Sequence, residues 1–377
     1  MKNLVLLCIL VGWLLPVSGL AAQTGGSWEI FQPLDLPNPD EGAGFTAVSI
    51  PDQDGDGIRE LVIGSYLAEK PFLKGNVAYD SGSLDVYSGA TGELLHRFWG
   101  GPRFGYAAML GMALDDAGDV DGDGIPDLIG GAPMDLVGSG AAYVYSLSPS
   151  APSKLIFRID GANLTDHMGF AVAGLGDVDH DGFGEVASAG PMAQAGPLSG
   201  AGLVRVCSGP AGLTLWESWG PAAGAMFGHA LAGAGDLDGD GAGDLIVAVP
   251  GLAQVHLLDG TQGQLLRILS APPGVDGFGA SVAGRTDLDG DGVPDVLVGA
   301  DAIPGTVLAF SGADGALLFR IDGGPKDRIG FRVAFAGDVD GDGLTDILTG
   351  APKADRLGLE ANGAVFLYSG ADQHLLQ

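Results

Sequence analysis

Gly118-Asp119-Val120-Asp121-Gly122-Asp123-Gly124-Ile125-Pro126-Asp127 puts four carboxylates within nine residues, and the chain then turns apolar through Leu128-Ile129-Gly130-Gly131-Ala132-Pro133. Two unit charges 4 Å apart repel by about 1 kcal/mol in water and by more near a protein surface. Such crowding asks for a counter-ion.

The stretch recurs six times, starting at Asp52 (DQDGDGIRE), Asp119 (DVDGDGIPD), Asp177 (DVDHDGFGE), Asp236 (DLDGDGAGD), Asp287 (DLDGDGVPD) and Asp338 (DVDGDGLTD), with steps of 67, 58, 59, 51 and 51 residues. Eight residues before each start stands a glycine: Gly44, Gly111, Gly169, Gly228, Gly279 or Gly330. An apolar run such as LVIGS, LIVAVP or ILTGAP follows each loop. Later in each unit comes a third element, as in DVYSGATGELL (85–95), VRVCSGPAGLTL (204–215) and LAFSGADGALL (308–318), with the looser YVYSLSPSAPSKLIF (143–157) in the second unit. Short apolar runs broken by Gly-rich turns, with no helical period after residue 22, predict strands and hairpins.

Each unit therefore reads as four strands. Strand A runs from the glycine into the acidic loop and B follows the loop; C ends at the Tyr-Ser-Gly type turn and D is the Leu-Leu run after it. A long-period repeat of four strands predicts an all-β fold, a β-propeller of six four-stranded blades with acidic loops between the first two strands. Seven blades would need a further, degenerate unit. Residues 23–377 divided by six give about 59 residues per blade. Trp28-Glu29-Ile30-Phe31 resembles a D strand ahead of the first A strand, and the chain stops at Leu375-Leu376-Gln377, partway through another. One end is expected to complete the blade begun by the other.

The loop chemistry points to calcium, which takes six to eight oxygen ligands, several of them carboxylates and often one a backbone carbonyl. Acids at loop positions 1, 3 and 5 converge, glycine at position 6 allows the sharp turn, the carbonyl of position 7 adds a ligand and the acid at position 9 closes the cage. The expected ligands are Asp52, Asp54, Asp56, Ile58 and Glu60 in the first loop, and Asp119, Asp121, Asp123, Ile125 and Asp127 in the second. The third supplies Asp177, Asp179, Asp181, Phe183 and Glu185, and the fourth Asp236, Asp238, Asp240, Ala242 and Asp244. The fifth supplies Asp287, Asp289, Asp291, Val293 and Asp295, and the sixth Asp338, Asp340, Asp342, Leu344 and Asp346. An EF-hand would need Glu at position 12 between helices; here position 12 is Ile63, Gly130, Ser188, Val247, Val298 or Thr349. One Asp-Gly is usually just a turn, but six copies with four acids each exceed what a turn requires.

These residues resemble the FG-GAP repeats of integrin α-subunit propellers and related bacterial exported proteins. The signature pieces are Phe227-Gly228 and Phe278-Gly279, with Gly131-Ala132-Pro133 and Gly350-Ala351-Pro352. Leu110, Met168 and Ile329 replace the Phe elsewhere, and Glu60 and Glu185 replace the last Asp. The resemblance covers nearly the whole chain after residue 22 and implies calcium binding and extracellular adhesion.

Composition agrees. The 377 residues carry a formal charge of −30 with 46% hydrophobic content, which disfavours nucleic acid and anionic membrane as partners and favours cations. Residues 1–22 (MKNLVLLCILVGWLLPVSGLAA) read as a secretory signal peptide, with residues 23–377 as one propeller domain and no apolar run there long enough to span a membrane. Export to the periplasm, cell surface or medium follows. Cys8 leaves with the leader, so Cys207 stands alone and reads as a buried apolar residue.

His96, His167, His180, His229, His256 and His374 are scattered, without HExxH or G-x-S-x-G motifs, and read as solvated or satisfied. Asn163-Leu164-Thr165 is a glycosylation sequon. In an up-and-down blade the acidic A–B loops share a face with the C–D turns, while B–C and D–A connections share the other. That second face varies most and carries Lys70, Lys74, Arg103, Lys326, Arg328, Lys353 and Arg356. Variable loops on a rigid scaffold are where binding resides. An exported binding or adhesion module for a protein or matrix partner ranks first, a glycan-binding propeller second, and an enzyme with a central-channel site third, since no catalytic set is evident.

Overall fold

The computed structural model describes residues 21–24, 27–30, 43–71, 77–78, 80–101, 107–148, 154–355 and 363–376. The chain forms a six-bladed β-propeller of antiparallel sheets, five ordered A-B-C-D and the sixth, among the described residues, A-B-C. Blade 1 comprises Ala43–Ile50, Glu60–Ser65, Ser83–Tyr87 and Leu94–Trp99, and blade 2 Ala113–Gly118, Asp127–Ala132, Ala141–Ser146 and Lys154–Asp160. Blade 3 comprises Ala171–Gly176, Glu185–Gly190, Leu203–Ser208 and Leu213–Trp219, and blade 4 Leu231–Gly235, Asp244–Val249, Gln254–Leu258 and Leu265–Ser270. Blade 5 comprises Phe278–Thr286, Asp295–Ala300, Thr306–Phe310 and Leu317–Asp322. Blade 6 holds Arg332–Gly337, Asp346–Ala351 and Ala364–Tyr368, with its fourth strand begun by the Tyr368–Leu375 bridge.

Local sequence explains the strands. The second strands of the first five blades, such as Asp244–Val249 (DLIVAV) and Asp295–Ala300 (DVLVGA), are buried along their whole length, as continuous apolar runs covered on both faces should be. The D strands lie at the rim, so Leu265–Ser270 keeps exposed positions. A bulge recurs between C and D in the first five blades, for example at Val144/Tyr145 and Ala309/Phe310. Bulges at matching places increase the twist that fits a blade into a ring.

The apolar core lies between blades. Trp216 on blade 3 packs with Leu245 and Val247 of blade 4, and Phe278 on blade 5 packs with Ile246 and Val255 of blade 4. Polar ties run along the same joints: Trp216 Nε1 donates to the Gly260 carbonyl at 2.8 Å and Thr46 Oγ1 to the Gly111 carbonyl at 2.8 Å. Between blades 6 and 1 the Arg332 guanidinium lies 5.6 Å from the Phe45 ring centroid. The A strands of neighbouring blades touch one another, so they are innermost and line the axis.

The repeated glycine is demanded by this packing. Gly169 has φ +82°, and a Cβ there would lie 2.1 Å from the Ala141 carbonyl oxygen of the preceding blade. The same pinch occurs at Gly330 against the Thr306 carbonyl, at 2.5 Å.

One expectation is corrected. Ser27–Ile30 pairs antiparallel with Ala21–Thr24 rather than with blade 6, and Phe31 lies outside the described residues. The two residues between those strands are Gly25 and Gly26, a pair that favours tight hairpins, so a local partner wins over a distant edge. A second ribbon, Lys70–Pro71 with Val77–Ala78, lies in the first B–C connection. Among the described residues no helix is long and apolar enough to cross a membrane; the helical pieces are Asp135–Gly138 and Pro250–Leu252, both in B–C connections.

Candidate metal centres

The six hairpin loops share one hydrogen-bond scheme. In the second, Asp119 folds the loop around itself: its Oδ1 accepts from the Gly122 and Asp123 amides at 2.7 and 3.1 Å, and its Oδ2 from Gly124 at 2.8 Å. Asp123 Oδ1 accepts from the Ile125 amide at 2.9 Å. Asp127, fully buried on the B strand, reaches back and accepts from Val120 and Asp121 through Oδ2 at 2.8 and 3.2 Å. Asp119 thus spends both oxygens on loop amides, whereas Asp127 spends only Oδ2 on them.

Convergent carboxylates identify the candidate site. Asp121 Oδ1 and Asp127 Oδ1 are buried without a hydrogen-bond partner, as are Glu60 Oε2 in the first loop and Glu185 Oε1 in the third. A buried anionic oxygen left unpaired is expensive, and a divalent cation removes the penalty. Carboxylate oxygens lie within 4.8 Å of one another in the sets Asp52/Asp54/Glu60, Asp119/Asp121/Asp127, Asp177/Asp179/Glu185, Asp236/Asp238/Asp244 and Asp287/Asp289/Asp291. A set of hard oxygens at this spacing fits a metal such as calcium. The sixth loop repeats the scheme, with Val339 and Asp340 donating to Asp346 Oδ2 at 2.8 and 3.3 Å.

Two sequence expectations are refined. In the first four loops the sets join positions 1, 3 and 9, while Asp56, Asp123, Asp181 and Asp240 each accept the amide of position 7. Glu60 and Glu185 fill the position-9 role despite their length: Glu60 Oε1 accepts from Gln53 and Asp54 at 2.7 and 3.1 Å. Sequence reading missed a further duty of position 9. Its second oxygen accepts the amide of the C–D turn glycine from Gly260 at 3.0 Å, Gly312 at 3.0 Å and Gly370 at 3.1 Å in blades 4, 5 and 6. The acid pins the two hairpin turns of one face together, and the repeated Ser-Gly and Asp-Gly turns were its available signal.

Burial and crowding also shift the position-9 acids. Burial, and then the Asp121 charge, push the Asp127 carboxyl up to about 7 against the Val120 and Asp121 amides. Burial first, then Asp179 and Asp181, raise Glu185 to about 7; burial with Asp238 and Asp240 raises Asp244 to about 6. A raised acid binds its proton more tightly in the folded than in the unfolded chain, so without metal the folded state loses stability as pH rises from about 4 to about 7. Asp127→Asn in metal-free protein is therefore expected to stabilise by about 1–3 kcal/mol at pH 8. The same variant should take up one calcium fewer. A metal-free variant melting no higher than the metal-free parent at pH 8 would refute the assignment.

The opposite end carries the other polar groups. Arg328 pairs with Asp301 at 2.7 Å and Lys326 with Asp355 at 3.2 Å, whereas Lys353 is exposed. Lys74, Arg103 and Arg356 lie outside the described residues. His180 is exposed in its loop, but His229 departs from expectation, because its Nδ1 is buried without a partner. Cys207 is buried and free.

The ring of repeated blades and its acidic hairpins define a β-propeller with candidate divalent-cation loops. The chain carries FG-GAP repeats and is similar to integrin α chains. The FG-GAP repeat matches residues 116–145 and 330–368, and the FG-GAP-like repeat residues 236–298. Similar proteins include chicken (Gallus gallus) integrin alpha-V, 30% identical over 213 residues, which is 51% of this chain and 20% of that protein. Human (Homo sapiens) integrin alpha-IIb is 36% identical over 154 residues, 36% of this chain and 14% of that protein. The matched segments thus span a fifth or less of these relatives' length.

Proposed function

We propose that this chain is an exported calcium-binding propeller that serves as an extracellular binding or adhesion module for a protein or matrix partner. The observation that carries the metal assignment is the convergence of carboxylate oxygens from three acids within 4.8 Å of one another in the loops, with Asp121 Oδ1 buried and without a hydrogen-bond partner in the second. The ligands are the acids at positions 1, 3 and 9, with position 5 and the position-7 carbonyls of Ile58, Ile125, Phe183, Ala242, Val293 and Leu344 completing the shell. Calcium fixes the A–B hairpins at one end and leaves the irregular connections at the other as the binding face. The similarity to integrin α chains supports the adhesion reading.

Isothermal titration of chelated protein with calcium is expected to reveal several sites with dissociation constants of roughly 10⁻⁴–10⁻³ M or somewhat tighter. No uptake would refute the metal reading. A protein, matrix and glycan array screened with and without calcium tests the partner: calcium-dependent protein or matrix hits support the module, and glycan-only hits replace it with a lectin.

A further inference from the structure

We infer that the mouth of the central channel, at the end away from the acidic loops, is a carboxylate-binding site built by Arg332 and His229 inside a collar of phenylalanine rings. The collar follows from the repeat. The residue after the repeated glycine opens each innermost strand, and it is Phe45 in blade 1, Phe170 in blade 3, His229 in blade 4 and Phe331 in blade 6. In blade 5, between His229 and Phe331, the same position is Ala280, the smallest of the six. The His229 ring rests 5.3 Å from Phe170, and the Arg332 guanidinium lies 5.6 Å from the Phe45 ring and 5.3 Å from that of Phe331.

Both polar groups lack the partners their burial calls for. Arg332 is only partly exposed, and its side chain donates one long hydrogen bond, Nη1 to the Phe331 carbonyl at 3.4 Å. No carboxylate lies within ion-pair distance of it among the described residues, in a chain of net charge −30. Its neighbour Arg328 does have one, Asp301 at 2.7 Å. His229 Nδ1 is buried with no partner at all. Both stand where an innermost strand opens, at the same end of the channel, and burial followed by the Arg332 charge lowers the pKa of His229, as burial lowers that of Arg332 against the pull of Asp301. An anion placed there would relieve both.

The chemistry selects a carboxylate. A guanidinium held by ring stacking offers a planar fork that matches a carboxylate in two parallel hydrogen bonds. Asp301, already committed to Arg328, disfavours a second negative charge nearby, so a phosphate dianion fits less well. The inference deepens the binding-module reading by giving its partner a chemistry, an acidic side chain. It rests on that reading for the bearer of the carboxylate alone.

The test is acetate titrated into the calcium-loaded chain at constant ionic strength, read by the NMR signals of the His229 ring. A saturable shift with millimolar affinity is expected, at least tenfold weaker in Arg332→Gln and about threefold weaker in His229→Phe. Phosphate above pH 8 should bind several-fold more weakly than acetate. Should Arg332→Gln fail to fold, Arg332→Lys, which keeps the charge and loses the fork, is expected to bind weakly. An acetyl-Gly-Glu-Gly amide that competes, with its Gln counterpart inert, supports an acidic side chain; acetate binding without peptide competition supports the site with a free carboxylate as ligand. No saturable shift, or equal acetate affinity in the folded Arg332 and His229 variants, overturns the proposal. That failure leaves calcium uptake and array binding untouched, so it is distinguishable from failure of the module reading.

Discussion

Chelation of calcium is expected to lower the melting temperature by roughly 10–20 °C at pH 8 and to reverse the sign of the pH dependence. The magnitude follows from linkage: each site that binds only the folded chain contributes about 2.7 kcal/mol at a hundredfold excess of calcium over Kd. Several of six sites together rival the stability of an ordinary domain. The sign follows from the position-9 acids. Burial, reinforced by neighbouring carboxylates, raises Glu60, Asp127, Glu185, Asp244 and Asp295 in the metal-free chain. Groups raised from about 4 to about 6 or 7 favour the folded state most at low pH and lose that contribution as pH rises through this window. The metal-free protein should therefore melt higher at pH 5 than at pH 8. With calcium bound the ligands must be ionised, so acid expels the ion and the loaded protein should melt lower at pH 5. The two curves converge in acid and separate in base. Magnesium, which demands a tighter octahedral shell, should restore little. Melting curves that ignore both EDTA and pH would remove the structural role of the loops.

The second large effect is steric. Gly169→Ala should destabilise by about 4 kcal/mol or more, because a Cβ at φ +82° would sit 2.1 Å from the Ala141 carbonyl oxygen and 3.0 Å from the Ala132 nitrogen. Both neighbours are backbone of blade 2, so relief requires the joint between blades to open. Gly196→Ala is the control, since φ is +57° there and nothing lies within 4 Å of a built Cβ. It should show the left-handed penalty alone, about 1–2 kcal/mol. Denaturant melts of the pair decide the matter. Equal losses would mean that the repeated glycine serves local conformation and not blade packing.

The repeat explains why so much was legible in advance. A blade is a local object: its glycine, acidic loop, apolar B strand and Ser-Gly turn follow one another within about 60 residues. Strand order, blade count, the face shared by the loops and the identity of the acids follow from that periodicity. The acids at positions 1, 3 and 9 were readable because each loop closes on its own backbone, as Asp119 does on Gly122 and Gly124.

What spacing along the chain does not encode is who meets whom across the ring. Position 5 accepts the position-7 amide in every loop, yet of the first five loops only the fifth brings it into the close carboxylate set, as Asp291 with Asp287 and Asp289, so small differences in loop closure decide its part. That position 9 also holds the C–D turn, as Asp244 holds Gly260, depends on how two hairpins of one blade lean together. The N-terminal strand looked like a blade strand, but in the full chain, leader included, it pairs with Ala21–Thr24, because closing so short a loop costs little entropy. Arg332 and His229 are about 100 residues apart; His229 alone reads as solvated or satisfied, and nothing along the chain singles out Arg332. Only closure of the ring stacks one on Phe45 and buries Nδ1 of the other, because desolvation is set by the neighbours a side chain acquires in three dimensions.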